Sequence, residues 1–177
     1  PSQIMENWCY EKECLDLFAV HHETGEPIPA DLVKRIKDSS TYHEAYATVR
    51  QLSFGLLDMA WHSLSLAEAN KLSSVGDFEQ AAFDPTELFP SVPGTNMSVQ
   101  FSHIFAGGYA AGYYSYKWAE VLDADAFSVF QEKGVFDQAT AQAFKEHVLS
   151  KGGTEHPMEL YKKFRGKEPS SEALLKR

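Results

Sequence analysis

Three tyrosines close together in the sequence have the spacing of a hydrogen-bonding site. Tyr109, Tyr113 and Tyr116 follow one another at intervals of four and three residues. On a helix, which turns about 100° per residue, their side chains would fall within roughly 60° of one another. A protein core has little use for three phenols on one face, because each buried hydroxyl needs a partner. Phenols keep their protons at neutral pH, so such a face could donate hydrogen bonds to a carbonyl oxygen or a developing oxyanion.

The residues that precede the tyrosines favour the same interpretation. Gly107 and Gly108 permit unusual backbone angles and a close approach of the backbone to a ligand. A glycine-rich segment beside a tyrosine face is typical of a loop that closes over bound substrate. His103, just before this loop, could donate a hydrogen bond to a substrate or an intermediate. The residues alone leave the alternative open that these aromatic side chains belong to the core and that His103 is structural or exposed.

Other motifs that could carry chemistry are weaker. The run His-His-Glu at 21–23 could bind a metal ion, but adjacent histidines on a helix diverge, so we expect it to be solvent-exposed. The pair at 43–44, His-Glu, lacks a histidine at position 47, where a metallopeptidase helix would have one. Asp123 and Asp125 are interpreted as solvated or helix-capping carboxylates. No Ser/His/Asp or Cys/His nucleophile pattern can be assembled from the sequence.

Helices must position these residues, because apolar residues recur with helical periodicity along nearly the whole chain. The sequence therefore predicts an all-α fold without repeats or an internal linker. The predicted helices run from Ser2 to about His22, from Ala30 to Lys37, from a capping box at Thr41 to about Leu64, from Asp77 to Phe83, from Tyr109 to about Lys133, from Asp137 to about Ser150, from Thr154 to about Phe164, and from Ser170 or Ser171 onward.

Two faces are predicted to pack inward, and one segment is predicted to be irregular. The second helix should bury Leu32, Val33 and Ile36. The long helix should turn an apolar face to the core, formed by Tyr114, Trp118, Val121, Leu122 and Val129. Residues 99–105 are expected to be extended or irregular, and the glycines that follow should end that segment.

Composition and charge exclude several classes of function. The 177 residues are 44% hydrophobic and 23% charged, which suits one globular domain of ordinary size. A formal net charge of -9 argues against nucleic acid and against an anionic membrane surface as partners. No apolar run approaches the roughly 20 residues that a membrane span needs. Cys9 and Cys14 are not expected to form a disulfide, and two reduced thiols favour a cytoplasmic location, with the periplasm as the alternative.

Several segments resemble the thimet-oligopeptidase-like family of zinc peptidases, and within it the bacterial branch of peptidyl-dipeptidases and oligopeptidase A. Residues 101–116 read FSHIFAGGYAAGYYSY, which is similar to a signature of that family. Residues 1–8 read PSQIMENW and resemble the segment after the zinc site. Residues 50–64, RQLSFGLLDMAWHSL, and 75–79, VGDFE, look more like the peptidyl-dipeptidases. Residues 149–169, LSKGGTEHPMELYKKFRGKEP, resemble the C-terminal helices of the family.

The resemblance implies that residues 1–177 are the C-terminal helical part of a zinc peptidase catalytic domain. In that family a His-Glu-x-x-His helix and a later Glu hold the zinc, and these residues would lie upstream of Pro1. The resemblance therefore assigns no metal ligand and no general base to this chain. We expect Zn²⁺ to bind only the full-length enzyme and the isolated chain to be inactive. Dimerisation of such a fragment through exposed apolar surface is a further expectation.

By resemblance, His103, Tyr109 and Tyr116 match the hydrogen-bond donors that stabilise the transition state, and Tyr113 and the Gly107-Gly108 loop would line the substrate channel. The implied substrates are oligopeptides, and the implied reaction removes dipeptides from their free C-termini. Two alternatives stay open, an endopeptidase similar to oligopeptidase A and a non-catalytic helical module that binds peptides or a partner.

Overall fold

A computed structural model describes residues 1–176, and this part of the chain is all-α, as the sequence predicts. Its one isolated antiparallel β-bridge joins Val20 and Pro27. In chain order the helices are α1 (Ser2–Glu6), α2 (Lys12–Leu15), α3 (Ala30–Ser40), α4 (Glu44–His62), α5 (Leu66–Ala69), α6 (Val75–Phe83), α7 (Ser102–Phe105), α8 (Ser115–Lys133), α9 (Gln138–Phe144), α10 (Pro157–Arg165) and α11 (Glu172–Leu175). Short 3-10 segments lie at Asn7–Tyr10 and Asp84–Thr86, and a π-helical turn at Lys145–Leu149.

The described chain groups into two compact units. One comprises residues 1–42 and 118–176, and the other comprises residues 43–117. The boundary in sequence falls within α8, whose first residues belong to the second unit. Among the helices of the described residues, none is long and apolar enough to cross a membrane.

The unit of residues 1–42 and 118–176 has an aromatic core. Trp8 meets the rings of Phe127 and Phe130 edge-on, with centroids 4.8 and 4.9 Å away. Its Nε1 donates a hydrogen bond to the carbonyl oxygen of Val135 at 2.8 Å. Each large apolar side chain buried in this way stabilises the fold by about 1.5–3 kcal/mol. The buried members of the core are Ile4, Ala126, Phe127, Phe130, Phe144 and Tyr161.

Two carboxylates of α8 are buried in this unit, which shows that the interpretation of Asp123 and Asp125 as solvated or capping groups is wrong. Asp125 is 2% exposed and accepts hydrogen bonds from Tyr161 Oη at 2.6 Å and from Arg165 Nε at 3.1 Å. Asp123 accepts one from Asn7 Nδ2 at 2.7 Å. Burial, followed by the hydrogen bond to Asp125, raises the pKa of Tyr161 above its ordinary value. The Tyr161 hydroxyl therefore remains a donor to the carboxylate at all ordinary pH values.

Residues 43–117 form a second core around α4 and α7. Leu57 on α4 and Ile104 on α7 are completely buried, and Phe101 is 8% exposed. The rings of Phe54 and Phe101 lie 5.3 Å apart. Because Ile104 anchors α7 in this core, the neighbouring His103 is fixed on its exposed side.

Several predicted helix boundaries are wrong, since the backbone and the capping contacts differ from those that the sequence predicts. The helix predicted from Ser2 to His22 breaks at Glu11, where the backbone is extended at φ -92° and ψ 124°. No capping box opens α4, since the residue before it is His43 in the left-handed region at φ 58°. A complete capping box instead starts α5, where Ser65 and Glu68 exchange hydrogen bonds. Residues 99–105, predicted to be extended or irregular, contain the short helix α7.

Predictions about inward-facing residues hold only in part. On α3, Val33 is buried, whereas Leu32 and Ile36 are 39% and 40% exposed. Of the face predicted for the long helix, Val129 is buried, but Tyr114 and Trp118 are 59% and 43% exposed.

Other local predictions are confirmed by the backbone. The side chain of Asp137 caps α9 by accepting from the amide of Thr140. Gly166, at φ 79°, ends α10 as predicted, although the side chain that caps its start is His156 rather than Thr154.

Candidate functional site

The structure brings His103 and the three tyrosines into one aromatic cluster. The ring of Tyr109 stacks on His103 with centroids 4.6 Å apart and on Tyr116 with centroids 5.1 Å apart. Tyr113 meets Tyr116 edge-on at 5.1 Å and His103 at 5.7 Å. His103 Nε2 lies within hydrogen-bonding distance of Tyr116 Oη, at 2.8 Å. An imidazole and three phenols are therefore concentrated at one place, which we call the His/Tyr cluster.

The His/Tyr cluster is not one face of a helix, so the predicted helix from Tyr109 to Lys133 is wrong at its start. Helix α8 begins only at residue 115, which leaves Tyr109 and Tyr113 on the turn that precedes it. Gly108 and Ala111 have φ of 81° and 53°, in the left-handed region that a right-handed helix excludes. On a straight helix, Tyr109 and Tyr116 would be separated by about 10 Å along the axis. The turn brings their rings into contact instead.

A buried carboxylate that the sequence analysis did not single out holds this turn. Asp58 on α4 is 0% exposed, and it accepts hydrogen bonds from the backbone amides of Ala111 at 2.9 Å and Tyr113 at 2.8 Å. Its Oδ1 also lies 2.8 Å from Nδ1 of His62. The available signal in the sequence was a single acidic residue within the otherwise apolar run 54–61, since an acid in such a position is rarely buried without partners.

A second buried carboxylate holds the chain on the other side of His103. Glu79 on α6 is 8% exposed and accepts hydrogen bonds from the backbone amides of Met97 at 2.7 Å and Ser98 at 2.5 Å. Trp61 Nε1 donates to the hydroxyl of Ser98 at 2.9 Å. The stretch from 98 to 111, which contains His103 and the two loop glycines, is therefore fixed near both ends by backbone amides bound to buried acids.

Tyr116 is held in its protonated form. A hydrogen bond with Tyr109, then burial and the neighbouring phenols, raise the pKa of Tyr116 to about 12. A raised phenol pKa means that the proton is retained as the pH rises through the neutral and mildly alkaline range. Tyr116 can therefore act as a hydrogen-bond donor to a negatively charged oxygen throughout that range.

The two loop glycines differ in what they would tolerate. A Cβ atom at Gly107 would lie 2.7 Å from the carbonyl oxygen of His103, closer than real contacts allow. Gly108 has open space around it, but its φ of 81° disfavours any side chain. Gly107 is thus required for close packing of the loop against His103, whereas Gly108 is required for its conformation.

A groove of about 180 Å³ lies between α4 and residues 80–91, and Phe54 in its wall meets Tyr113 of the His/Tyr cluster edge-on at 6.0 Å. Its walls include Tyr46, Phe54, Phe83 and Phe89, and the guanidinium of Arg50 lies 4.9 Å above the ring of Phe54. None of its lining residues is a member of the His/Tyr cluster. The concentration of donors, rather than this groove, therefore marks the candidate site.

Among residues 1–176, one group of three side chains could hold a metal ion, the exposed His21, His22 and Glu23. The two imidazoles stack at 5.0 Å and do not diverge as predicted, because this stretch is a turn and not a helix. Nδ1 of His21 accepts from the amides of Glu23 and Thr24 at 3.3 and 3.2 Å, which occupies its lone pair and places the proton on Nε2. A catalytic zinc needs three available protein ligands, so the described residues do not fit the zinc that the resemblance implies.

Known proteins similar to this chain are peptidases. The family model described as Peptidase family M3 matches residues 1–177. The chain is 46% identical over 177 residues to oligopeptidase A of Escherichia coli (strain K12), and the aligned residues cover 99% of this chain and 25% of the relative. It is 44% identical to oligopeptidase A of Haemophilus influenzae, again over 99% of this chain and 26% of the relative. Identity to dipeptidyl carboxypeptidase of Salmonella typhimurium is 38%, over 99% of this chain and 26% of the relative. The chain thus spans about a quarter of the length of the curated relatives it matches.

Proposed function

Because the chain belongs to peptidase family M3, we propose that it is the C-terminal part of a zinc-dependent oligopeptidase. In this proposal other parts of the full-length enzyme supply the zinc ligands and the general base. The described residues supply hydrogen-bond donors that bind the substrate and the transition state. The observation that carries the proposal is the His/Tyr cluster, which concentrates such donors in a chain that matches the family along its whole length.

The chemistry of the His/Tyr cluster suits the tetrahedral intermediate of peptide hydrolysis. Attack on the peptide carbonyl turns its oxygen into an oxyanion, which accepts stronger hydrogen bonds than the ground-state carbonyl does. Tyr116 Oη and His103 Nε2 lie 2.8 Å apart, so one oxygen placed beside them could accept from both. Their mutual hydrogen bond would then be replaced by bonds to the substrate, since such contacts often form fully only in the complex.

The other predicted site residues also have proposed roles, one as a further donor and the rest in binding the substrate. Tyr109 stacks on both His103 and Tyr116, which favours it as the second phenol donor to the reacting carbonyl. Tyr113 within the cluster and the Gly107-Gly108 loop beside His103 are proposed to line the substrate channel.

The proposed substrates are oligopeptides, and two modes of cleavage are considered. Identity of 44–46% to the oligopeptidase A sequences, against 38% to the dipeptidyl carboxypeptidase, favours an endopeptidase. The second candidate is a peptidyl-dipeptidase, which the sequence of residues 50–64 favours by resemblance. The two differ in whether the substrate needs a free C-terminal carboxylate.

Hydrolysis of matched peptides by the full-length enzyme tests both proposals. We expect the enzyme to cleave an oligopeptide and to lose this activity when a chelator removes its metal. An endopeptidase should cleave the free-acid and C-terminally amidated forms of that peptide at similar rates, whereas a peptidyl-dipeptidase should leave the amidated form intact. Mass spectrometry of the products reads out both results.

The isolated 177-residue chain is the control for that experiment. It should neither hydrolyse the peptide nor bind zinc stoichiometrically, because its described residues do not fit a catalytic zinc. A full-length enzyme that cleaves no peptide in the presence of zinc would refute the proposed function.

Substitution of Gly107 tests the role of the loop. Gly107→Ala in the full-length enzyme should lower kcat and raise KM together, because the new methyl group must displace the His103 backbone or the loop. A displacement of about 1 Å can reduce kcat/KM by on the order of 10²-fold. Steady-state kinetics would measure both constants. Gly152→Ala is the matched control, since Gly152 has open space and no left-handed backbone, and kinetics unchanged in both variants would contradict this role.

Two free thiols support a reducing environment for the protein. Cys9 is exposed and Cys14 is partly exposed, and neither forms a disulfide within the described chain. We therefore keep a cytoplasmic location as part of the proposal.

A further inference from the structure

We propose that Asp58 is a positioning residue of the proposed peptidase reaction, whose buried carboxylate holds the turn that carries Tyr109 and Tyr113 in the conformation that assembles the His/Tyr cluster. This inference rests on the proposed function, in which that cluster stabilises the intermediate. Asp58 itself is completely buried and binds the backbone of the turn, so it acts through the turn and not on the substrate.

The carboxylate replaces the hydrogen bonds that a helix would make. If α8 extended back to Tyr109, the amide of Tyr113 would bond to the carbonyl of Tyr109, four residues earlier. In the structure that amide and the amide of Ala111 each donate to one oxygen of Asp58, at 2.8 and 2.9 Å. The carbonyl of Tyr109 instead accepts from Gly112 at 2.8 Å. Asp58 therefore stabilises the turn directly against the helix that the local sequence predicts.

The same contacts maintain a strained residue. Ala111 has a φ of 53°, which an alanine adopts only at a cost in free energy. Its amide is one of the two that Asp58 binds, so the hydrogen bond forms at the strained position. Without that bond the turn would lose its main compensation and could relax toward the helical alternative, which would separate the rings of Tyr109 and Tyr116.

Asp58 is in turn fixed by its surroundings. It neighbours Leu57, which is completely buried in the core with Ile104 and Phe101. Nδ1 of His62, one helical turn later, lies 2.8 Å from Oδ1 of Asp58 and 2.9 Å from its backbone carbonyl oxygen. A buried carboxylate with two amide donors and an imidazole has its hydrogen-bonding capacity satisfied, and it can therefore position the turn accurately.

Asp58→Asn in the full-length enzyme is the direct test. Asparagine keeps the shape of the side chain, but one acceptor oxygen becomes an NH₂ group that faces a backbone amide donor. We expect kcat to fall by on the order of 10–100-fold, with a smaller change in KM, because the donors of the transition state are displaced. Circular dichroism would verify that the variant is folded.

A second measurement, the pKa of Tyr116, does not depend on activity. In the assembled cluster Tyr116 titrates with a pKa of about 12, partly through its hydrogen bond with Tyr109. In Asp58→Asn this pKa should fall toward the ordinary value of about 10. NMR of ¹³C-labelled tyrosine rings would follow the titration, and the signal of Tyr116 would be assigned from its loss in Tyr116→Phe. A general loss of stability that leaves the cluster assembled would not move this pKa.

Two further variants sharpen the test. Asp38→Asn makes the same chemical change on the surface of α3, where the side chain of Asp38 is 60% exposed and pairs with Lys34. This variant should leave both kcat and the pKa of Tyr116 as in the parent. Ala111→Gly relieves the backbone strain, so the double variant Asp58→Asn/Ala111→Gly should recover part of the lost kcat. If Asp58→Asn does not fold, kcat and the pKa of Tyr116 are measured instead in the double variant. The reference is then Ala111→Gly alone.

The outcomes separate this inference from the function on which it rests. A fall in both kcat and the pKa of Tyr116 supports the positioning role. A folded variant whose Tyr116 titrates as in the parent overturns that role, whatever happens to kcat. If the pKa falls while kcat is unchanged, Asp58 positions the cluster as inferred, and the catalytic role of the cluster in the proposed function is the part that fails.

Discussion

Tyr116→Phe in the full-length enzyme should lower kcat by on the order of 10²–10³ and change KM much less, the effect of losing one donor to an oxyanion. The substitution removes a single hydroxyl and keeps the ring that stacks on Tyr109 at 5.1 Å. Packing of the cluster should therefore survive. The hydroxyl also contacts His103 Nε2 at 2.8 Å, but bonds to the substrate replace that contact in the complex, so the fall in kcat should report the hydrogen bond that Tyr116 makes in the transition state. Because the pKa of Tyr116 is raised to about 12, the parent enzyme carries this donor at any pH used for the comparison.

Steady-state kinetics of the parent and two tyrosine variants would measure this effect. Tyr114→Phe is the matched control, because Tyr114 is 59% exposed and is not a member of the His/Tyr cluster. Its kcat should stay within about twofold of the parent. If Tyr116→Phe also kept kcat within about twofold, where an oxyanion donor predicts a far larger loss, the catalytic role of Tyr116 would be wrong.

Asp125→Ala should destabilise the protein by about 3–5 kcal/mol, the cost of removing one partner of a buried ion pair. Asp125 binds both the hydroxyl of Tyr161 and the guanidinium of Arg165, and the side chain of Arg165 is only 16% exposed. The truncation leaves the Tyr161 hydroxyl without this acceptor, and it leaves the Arg165 guanidinium bonded to the hydroxyl of Ser128 but without its counter-charge. Asp125→Asn should cost less, because the amide oxygen can still accept from Tyr161 although the charge is lost.

Urea unfolding of the purified protein would compare these two variants with a surface control. Asp16 pairs with Lys12 at the surface, where its side chain is 43% exposed, so Asp16→Ala should cost at most about 1 kcal/mol. Equal stabilities of Asp125→Ala and Asp16→Ala would show that the buried network contributes no more than an exposed ion pair.

Sequence reasoning succeeded for this protein where the determinants are local. The helices α3, α6, α8 and α9 follow from apolar periodicity, and Asp137 and Gly166 mark helix ends as predicted. The members of the candidate site were also predictable, since His103, Tyr109, Tyr113 and Tyr116 lie within fourteen consecutive residues of unusual composition. Types and short spacings of residues are properties of the chain itself, and they do not need the fold to be known.

The conformation of the site was not predictable, because distant residues determine it. The helical spacing of the tyrosines placed them on one face of α8, but the turn is bound by Asp58, which lies 53 residues before Ala111 and 55 before Tyr113. Asp125 was misinterpreted for the same reason, since Tyr161 is 36 residues away from it.

The sequence by itself therefore determined the fold class, the family and the chemical groups of the candidate site, because these depend on periodicity and on residue types in short segments. Only the tertiary structure decided that these groups meet on a turn and that two buried acids, Asp58 and Glu79, hold the segment around them. The physical reason is that a buried carboxylate binds whichever backbone amides the fold brings to it. A local sequence pattern contains no information about those partners.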